Sequence, residues 1–249
     1  MSLDINVIEL RESLELRLND VLEIIEINSA IIDITQNELQ AVRAQLVQMG
    51  RGGGLIGTIN NKISSLNNIS RNPQIISRRN IIVEQVIVLF VGALESYLSD
   101  VVRTVGTERP DLFSFDNENE KISFSQTMLK DGFKLGDAIL EHILNKKYSF
   151  QDLKSSLEVF KKYLSIDIEF LPEQKDSLIL LAALRHVIVH NSSKIDRKFI
   201  TQIRDTSYAT RYTVNDNIAI DDSLIQDSKD SILNYADQIT AAIINSPQL

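Results

Sequence analysis

Between Asp176 and Asn191 the chain reads DSLILLAALRHVIVHN, an apolar run with no glycine or proline to interrupt it. A helix written this way is apolar nearly all round, so it has to sit at the centre of a bundle with other helices around it. Pro172, just upstream, suits the first turn of that helix, and the polar Asn191-Ser192-Ser193 that follows suits its end. The segment therefore predicts a helix over 172–190 and an all-helical environment to cover it.

The rest of the chain agrees. Hydrophobic residues make up 43%, with nine glycines and four prolines among 249 residues, a balance that favours helices over a sandwich or barrel. Leu3, Val7, Leu10, Leu14, Leu18, Val21 and Ile25 recur every three or four residues, and Leu39, Val42, Leu46 and Met49 continue the pattern. These residues predict a long amphipathic N-terminal helix or a helical hairpin. Five of the nine glycines fall in GRGGGLIG, residues 50–57, ahead of an Asn- and Ser-rich stretch to residue 72. A phosphate loop there would need a preceding strand or a Gly-Lys-Ser/Thr signature, and neither is present, so the segment is expected to be a joint. The expected division is an N-terminal element over 1–72 and a helical domain over 73–249.

From Pro73 the pattern predicts a helix to about Val105, a loop over 106–118, and helices at 119–131, 135–147, 150–164, 172–190 and 196–205. SYATRYTVNDNIAI, residues 207–220, alternates around Asn-Asp-Asn and predicts a small β-hairpin. A last helix from Asp222 to Asn245 is expected to turn Leu224, Ile232, Tyr235, Ile239 and Ile243 inward. The fold class expected is mainly α, a helical bundle with one hairpin.

Several functions are disfavoured. Without cysteine there are no disulfides, thiolate zinc sites or cysteine nucleophiles. The N-terminus lacks the basic and apolar regions of a secretory signal. The longest apolar run, Val86 to Leu94, is short of the roughly 20 residues that span a bilayer, so a cytoplasmic chain without a membrane segment is expected. A net charge of −8 argues against coating nucleic acid, yet residues 185–204 carry five cations, Arg185, Lys194, Arg197, Lys198 and Arg204, against Asp196 alone.

That cationic patch surrounds two of the three histidines, His186 and His190. Polar groups on so apolar a helix need partners or a cleft. Two readings stand: satisfied residues near a helix C-terminus, where imidazolium is favoured, or a site. A zinc pair four residues apart is a further option, although HExxH lacks its Glu here and only His142 remains as another imidazole. No metal or cofactor is expected.

Arg185, four residues, then His190, late in an apolar helix, followed by a charged helix and an expected hairpin, resembles the HEPN superfamily (higher eukaryotes and prokaryotes nucleotide-binding). Leu94-Glu95-Ser96-Tyr97 resembles the acidic-aromatic phrase of its early helix. The resemblance covers about residues 73–245, and His186 stands where Asn or Asp is commoner. It implies a metal-independent endoribonuclease of toxin–antitoxin or anti-phage type, cutting RNA through the 2′-hydroxyl to a 2′,3′-cyclic phosphate. It further implies a homodimer and a neutralising antitoxin or other partner protein. The catalytic candidates are then Arg185, which holds phosphate charge, and His190, which moves a proton. His186, Asn191 and Glu95 support them, the last by pairing with Arg185 or orienting a histidine, and Lys194, Arg197, Lys198 and Arg204 are RNA-contacting candidates. On a straight helix Arg185 and His190 stand about 140° apart, so the expectation needs the backbone to turn away near His190 or a second subunit to complete the site. A non-catalytic RNA-, nucleotide- or protein-binding module is the alternative, and an adaptor built on the N-terminal helix a third.

Overall fold

The computed structural model describes residues 3–50, 53–70, 73–115 and 134–245, apart from the side chains at 25, 28–29, 32–33 and 70–79. Among them are eight α-helices: α1 (Leu3–Gln48), α2 (Gly53–Ser70), α3 (Pro73–Glu108), α4 (Leu135–Asn145), α5 (Leu153–Leu164), α6 (Pro172–His190), α7 (Arg197–Ile203) and α8 (Asp222–Ile244), with a 3₁₀ turn at Pro110–Leu112. The mainly α class is therefore observed. The helix expected at 119–131 lies outside the described residues.

Two compact units are formed, Met1–Leu18 with Ile87–Leu249, and Asn19–Val86. Their limits fall inside α1 and α3, whereas the sequence suggested a division at 72/73.

In the larger unit the first turns of α1 bury Leu3, Val7, Leu14 and Leu18, the inner part of the expected stripe. Helix α3 buries Ile87, Phe90, Leu98, Val101, Val102 and Val105. By length and composition Asn80–Glu108 is apolar enough to cross a bilayer, a wider stretch than the run noticed in the sequence, and 39% of that apolar window is buried within the protein. Tyr97 carries its ring into the core and donates to the Ala236 carbonyl at 3.0 Å, which ties α3 to α8. Gly136 permits the approach of α3 to α4, because a Cβ there would lie 1.9 Å from the Arg103 carbonyl oxygen. Asp152, Asp196 and Asp221 cap α5, α7 and α8 by accepting from the amides of Ser155, Phe199 and Leu224. On α8, Ile232, Tyr235, Ile239 and Ile243 are buried as expected.

The hairpin is not formed, and no strand occurs among the described residues. Residues 213–218 spend their backbone groups on the chain just after α6. The Ile195 amide donates to Asp216 at 2.9 Å, Asn215 to Ile195 at 2.8 Å and Ile218 to Ser193 at 3.0 Å, around a single antiparallel bridge between Lys194 and Asn217. Tyr212 packs on Phe199, rings 5.1 Å apart. The alternation was real, but the turn between α6 and α7 supplies the hydrogen bonds, and Phe199 of α7 a packing contact, that a second strand would have supplied.

In the smaller unit the Gly/Asn/Ser-rich stretch is mostly helix rather than joint. Gly50 turns the chain with φ +63°, and Gly53, Gly54 and Gly57 lie within α2 despite costing roughly 1 kcal/mol each against alanine. Ile56, Ile59, Ile63 and Leu66 recur every three or four residues along α2; Ile59 is buried and the others half-buried. Gln36 of α1 donates to Asn67 of α2 at 3.1 Å, as in a helical hairpin.

Candidate functional site

Helix α6 buries Leu178, Leu180, Leu181, Ala183, Leu184, Val187 and Ile188. What remains toward solvent in its second half is narrow: Ile179, Ala182, Arg185 and His186 are half-buried, and Val189 and His190 exposed. The helix stays regular through His190, and the turn begins only at Asn191. Ser192 and Ser193 then adopt left-handed backbone, φ 50° and 61°, a strained pair for non-glycine residues. Their turn is held by the Ser193 amide on the Val187 carbonyl at 3.0 Å and by the Asn191 side-chain amide on the Lys194 carbonyl at 2.5 Å. Asn191 therefore braces the turn.

Because the backbone does not turn before His190, Arg185 and His190 stay about 140° apart on one helix. Within one chain they occupy different faces. The pair that shares a face is His186 and His190, with ring centroids 5.0 Å apart. His186 has its pKa lowered, first by burial, then by the charges of Lys198 and His190, with Arg185 adding and Asp196 opposing. A shift in that direction favours the neutral imidazole, the form able to accept a proton.

Among the described residues Arg185, Lys194, Arg197 and Lys198 form no ion pair. Lys198 is the α7 cation that weighs most on His186. Arg204 instead leans on its neighbour Asp205 at 3.4 Å. Glu95 meets neither Arg185 nor a histidine; both its carboxylate oxygens accept from Gln151 Nε2, at 3.1 and 3.0 Å. His142 lies against Phe115 with rings 5.9 Å apart, and no group of three metal-ligating side chains occurs among the described residues.

Sequence reasoning missed a groove of about 510 Å³ between α5, α6 and α7. Lys175, Ile179 and Ala182 line it from α6, and Gln202 from α7. Offsets of four, three, four and four residues link Lys175, Ile179, Ala182, His186 and His190, which puts all five on one face of the helix. Gln202 likewise stands one turn beyond Lys198. The groove and the imidazole pair thus lie along the same stripe of α6. The spacing was present in the sequence, but Ile179 and Ala182 were indistinguishable there from core residues. Comparison with protein-family models, with curated proteins and with solved structures gives no match.

Proposed function

We propose that this chain is a metal-independent endoribonuclease of HEPN type. The observation that carries the reading is the pair of imidazoles on one face of α6, with the neutral form of His186 favoured by burial and by the charges of Lys198 and Arg185. In the reaction His186 accepts the proton of an RNA 2′-hydroxyl. The 2′-oxygen bonds to the adjacent phosphorus, the bond from phosphorus to the 5′-oxygen breaks, and His190, as the general acid, delivers a proton to that oxygen. Arg185 and Lys198 offset the charge that gathers on the phosphate oxygens. The products are a 2′,3′-cyclic phosphate and a 5′-hydroxyl.

The superfamily resemblance adds a second copy of the chain, whose motif helix meets the first and supplies the Arg185 that one protomer holds on another face. It also supplies the setting, cytoplasmic defence or a toxin–antitoxin pair with a neutralising partner. The test is incubation of the purified protein with total RNA in EDTA beside an Arg185→Ala, His190→Ala variant. Cleavage by the unaltered protein alone, leaving cyclic-phosphate ends, supports the reading, and the absence of cleavage removes it. One observation favours a second reading, a non-catalytic RNA-binding module: Arg185 and His190 do not converge within a chain. RNA binding without cleavage, lost in the variant, selects that module.

A further inference from the structure

The groove beside the imidazole pair has no role in the chemistry above. Its floor is apolar, built by Leu153 and Leu157 of α5, Ile168, and Ile179 and Ala182 of α6, and its volume of about 510 Å³ suits a small planar ligand. Its rim is charged. Lys161 is paired with Asp167 at 2.7 Å, and Asp152 is engaged as the cap of α5. Lys154, Lys175 and Glu158 form no ion pair among the described residues.

An occupant has to match both ends. One turn beyond the groove on the same face of α6 stands His186, with His190 a turn further and Lys198 on α7, and these are the groups that an occupant reaching past the groove meets. One helical turn back, at Ala182, about 6 Å along the axis, it meets an apolar slot edged by the Gln202 amide, which both donates and accepts hydrogen bonds. A simple anion leaves the slot empty, and an aliphatic chain leaves Gln202 and the cations without partners. A nucleotide satisfies both, since its base has apolar faces, a hydrogen-bonding edge, and a phosphate about one helical turn away. We propose that this groove is a nucleobase subsite, holding the base of the nucleotide whose 3′-phosphate lies at His186 and His190.

The inference rests on reading the imidazole pair as a phosphate site, so its test is separate from cleavage. The full chain is titrated by calorimetry with each nucleoside 3′-monophosphate and with inorganic phosphate. At least one nucleotide binds ten-fold or more tightly than phosphate. Ala182→Phe, which fills the slot, abolishes that advantage while phosphate affinity stays within two-fold; Gln202→Ala, on the rim, reduces it as well and decides the matter where the larger side chain alters the melting curve. The subsite is overturned if no nucleotide outbinds phosphate, or if both variants keep the advantage. A base advantage in a protein that leaves RNA uncut keeps the subsite and removes the nuclease. Cleavage without any base advantage does the reverse.

Discussion

Helix α6 and the later turns of α1 carry the same three-and-four spacing and end up with opposite surfaces. On α6 most of the aliphatic residues are buried, with Ile179 half-buried and Val189 exposed, and the open stripe carries His186 and His190. On α1, Ile24, Ile27, Ile31, Ile34 and Val42 are each close to half exposed, and within their unit only Ile59 and Val86 are buried hydrophobics among the described residues. Periodicity reveals that a helix has a distinct face. It does not reveal whether a neighbour covers that face, because the neighbour is written elsewhere in the chain.

That contrast can be broken by stability measurements. Leu180→Ala, at a site with no exposure, is expected to destabilise the protein by about 2–5 kcal/mol in denaturant unfolding, through lost transfer energy and the cavity left behind. Ile31→Ala, 56% exposed, is expected to change stability by no more than about 0.5 kcal/mol. A loss above about 2 kcal/mol at Ile31 would mean that its face is covered. Replacing both Ile27 and Ile31 by lysine should be tolerated for the same reason, with the melting temperature unchanged.

A smaller effect sharpens the account of α6. Asp196→Ala removes the cap of α7, which is worth about 1 kcal/mol, and also the carboxylate that opposes the lowering of the His186 pKa. Its titration, followed by histidine proton resonances, should move further down. A rise would show that Asp196 does not act on the ring.

The smallest effect is a pH slope. A histidine whose folded pKa lies below its unfolded value, about 6.5, binds fewer protons when folded. Stability therefore rises with pH between the two values, and the penalty is fullest below the folded one. His186 is far from fully buried, so the slope is shallow; His186→Asn should flatten it in melts between pH 5 and 7.

Much of the fold was legible where local chemistry left one outcome. Helix α6 runs over the expected residues because Pro172 opens it and the polar Asn191-Ser192-Ser193 receives it. Legibility failed where the deciding partner was remote. The alternation over 207–220 looked like a hairpin because nothing local shows that residues 193–195 take its hydrogen bonds. Leu39, Val42, Leu46 and Met49 looked like one stripe, yet Leu39 and Leu46 are half-buried while Val42 and Met49 are exposed. The glycines of residues 50–57 masked the helical spacing of Ile56, Ile59 and Ile63. For the site, the motif residues could be read directly, but which of them share a face depended on where α6 ends. Because α6 stays regular through His190, emphasis moves from Arg185 with His190 to His186 with His190.

The central claim is that this face of α6 activates an RNA 2′-hydroxyl without a metal. Its most direct test compares cleavage, in EDTA, of an RNA and of the same sequence methylated at every 2′-oxygen. The account predicts that the RNA is cut to 2′,3′-cyclic phosphate ends and the methylated strand stays intact; equal cleavage of both strands, or of neither, would contradict it.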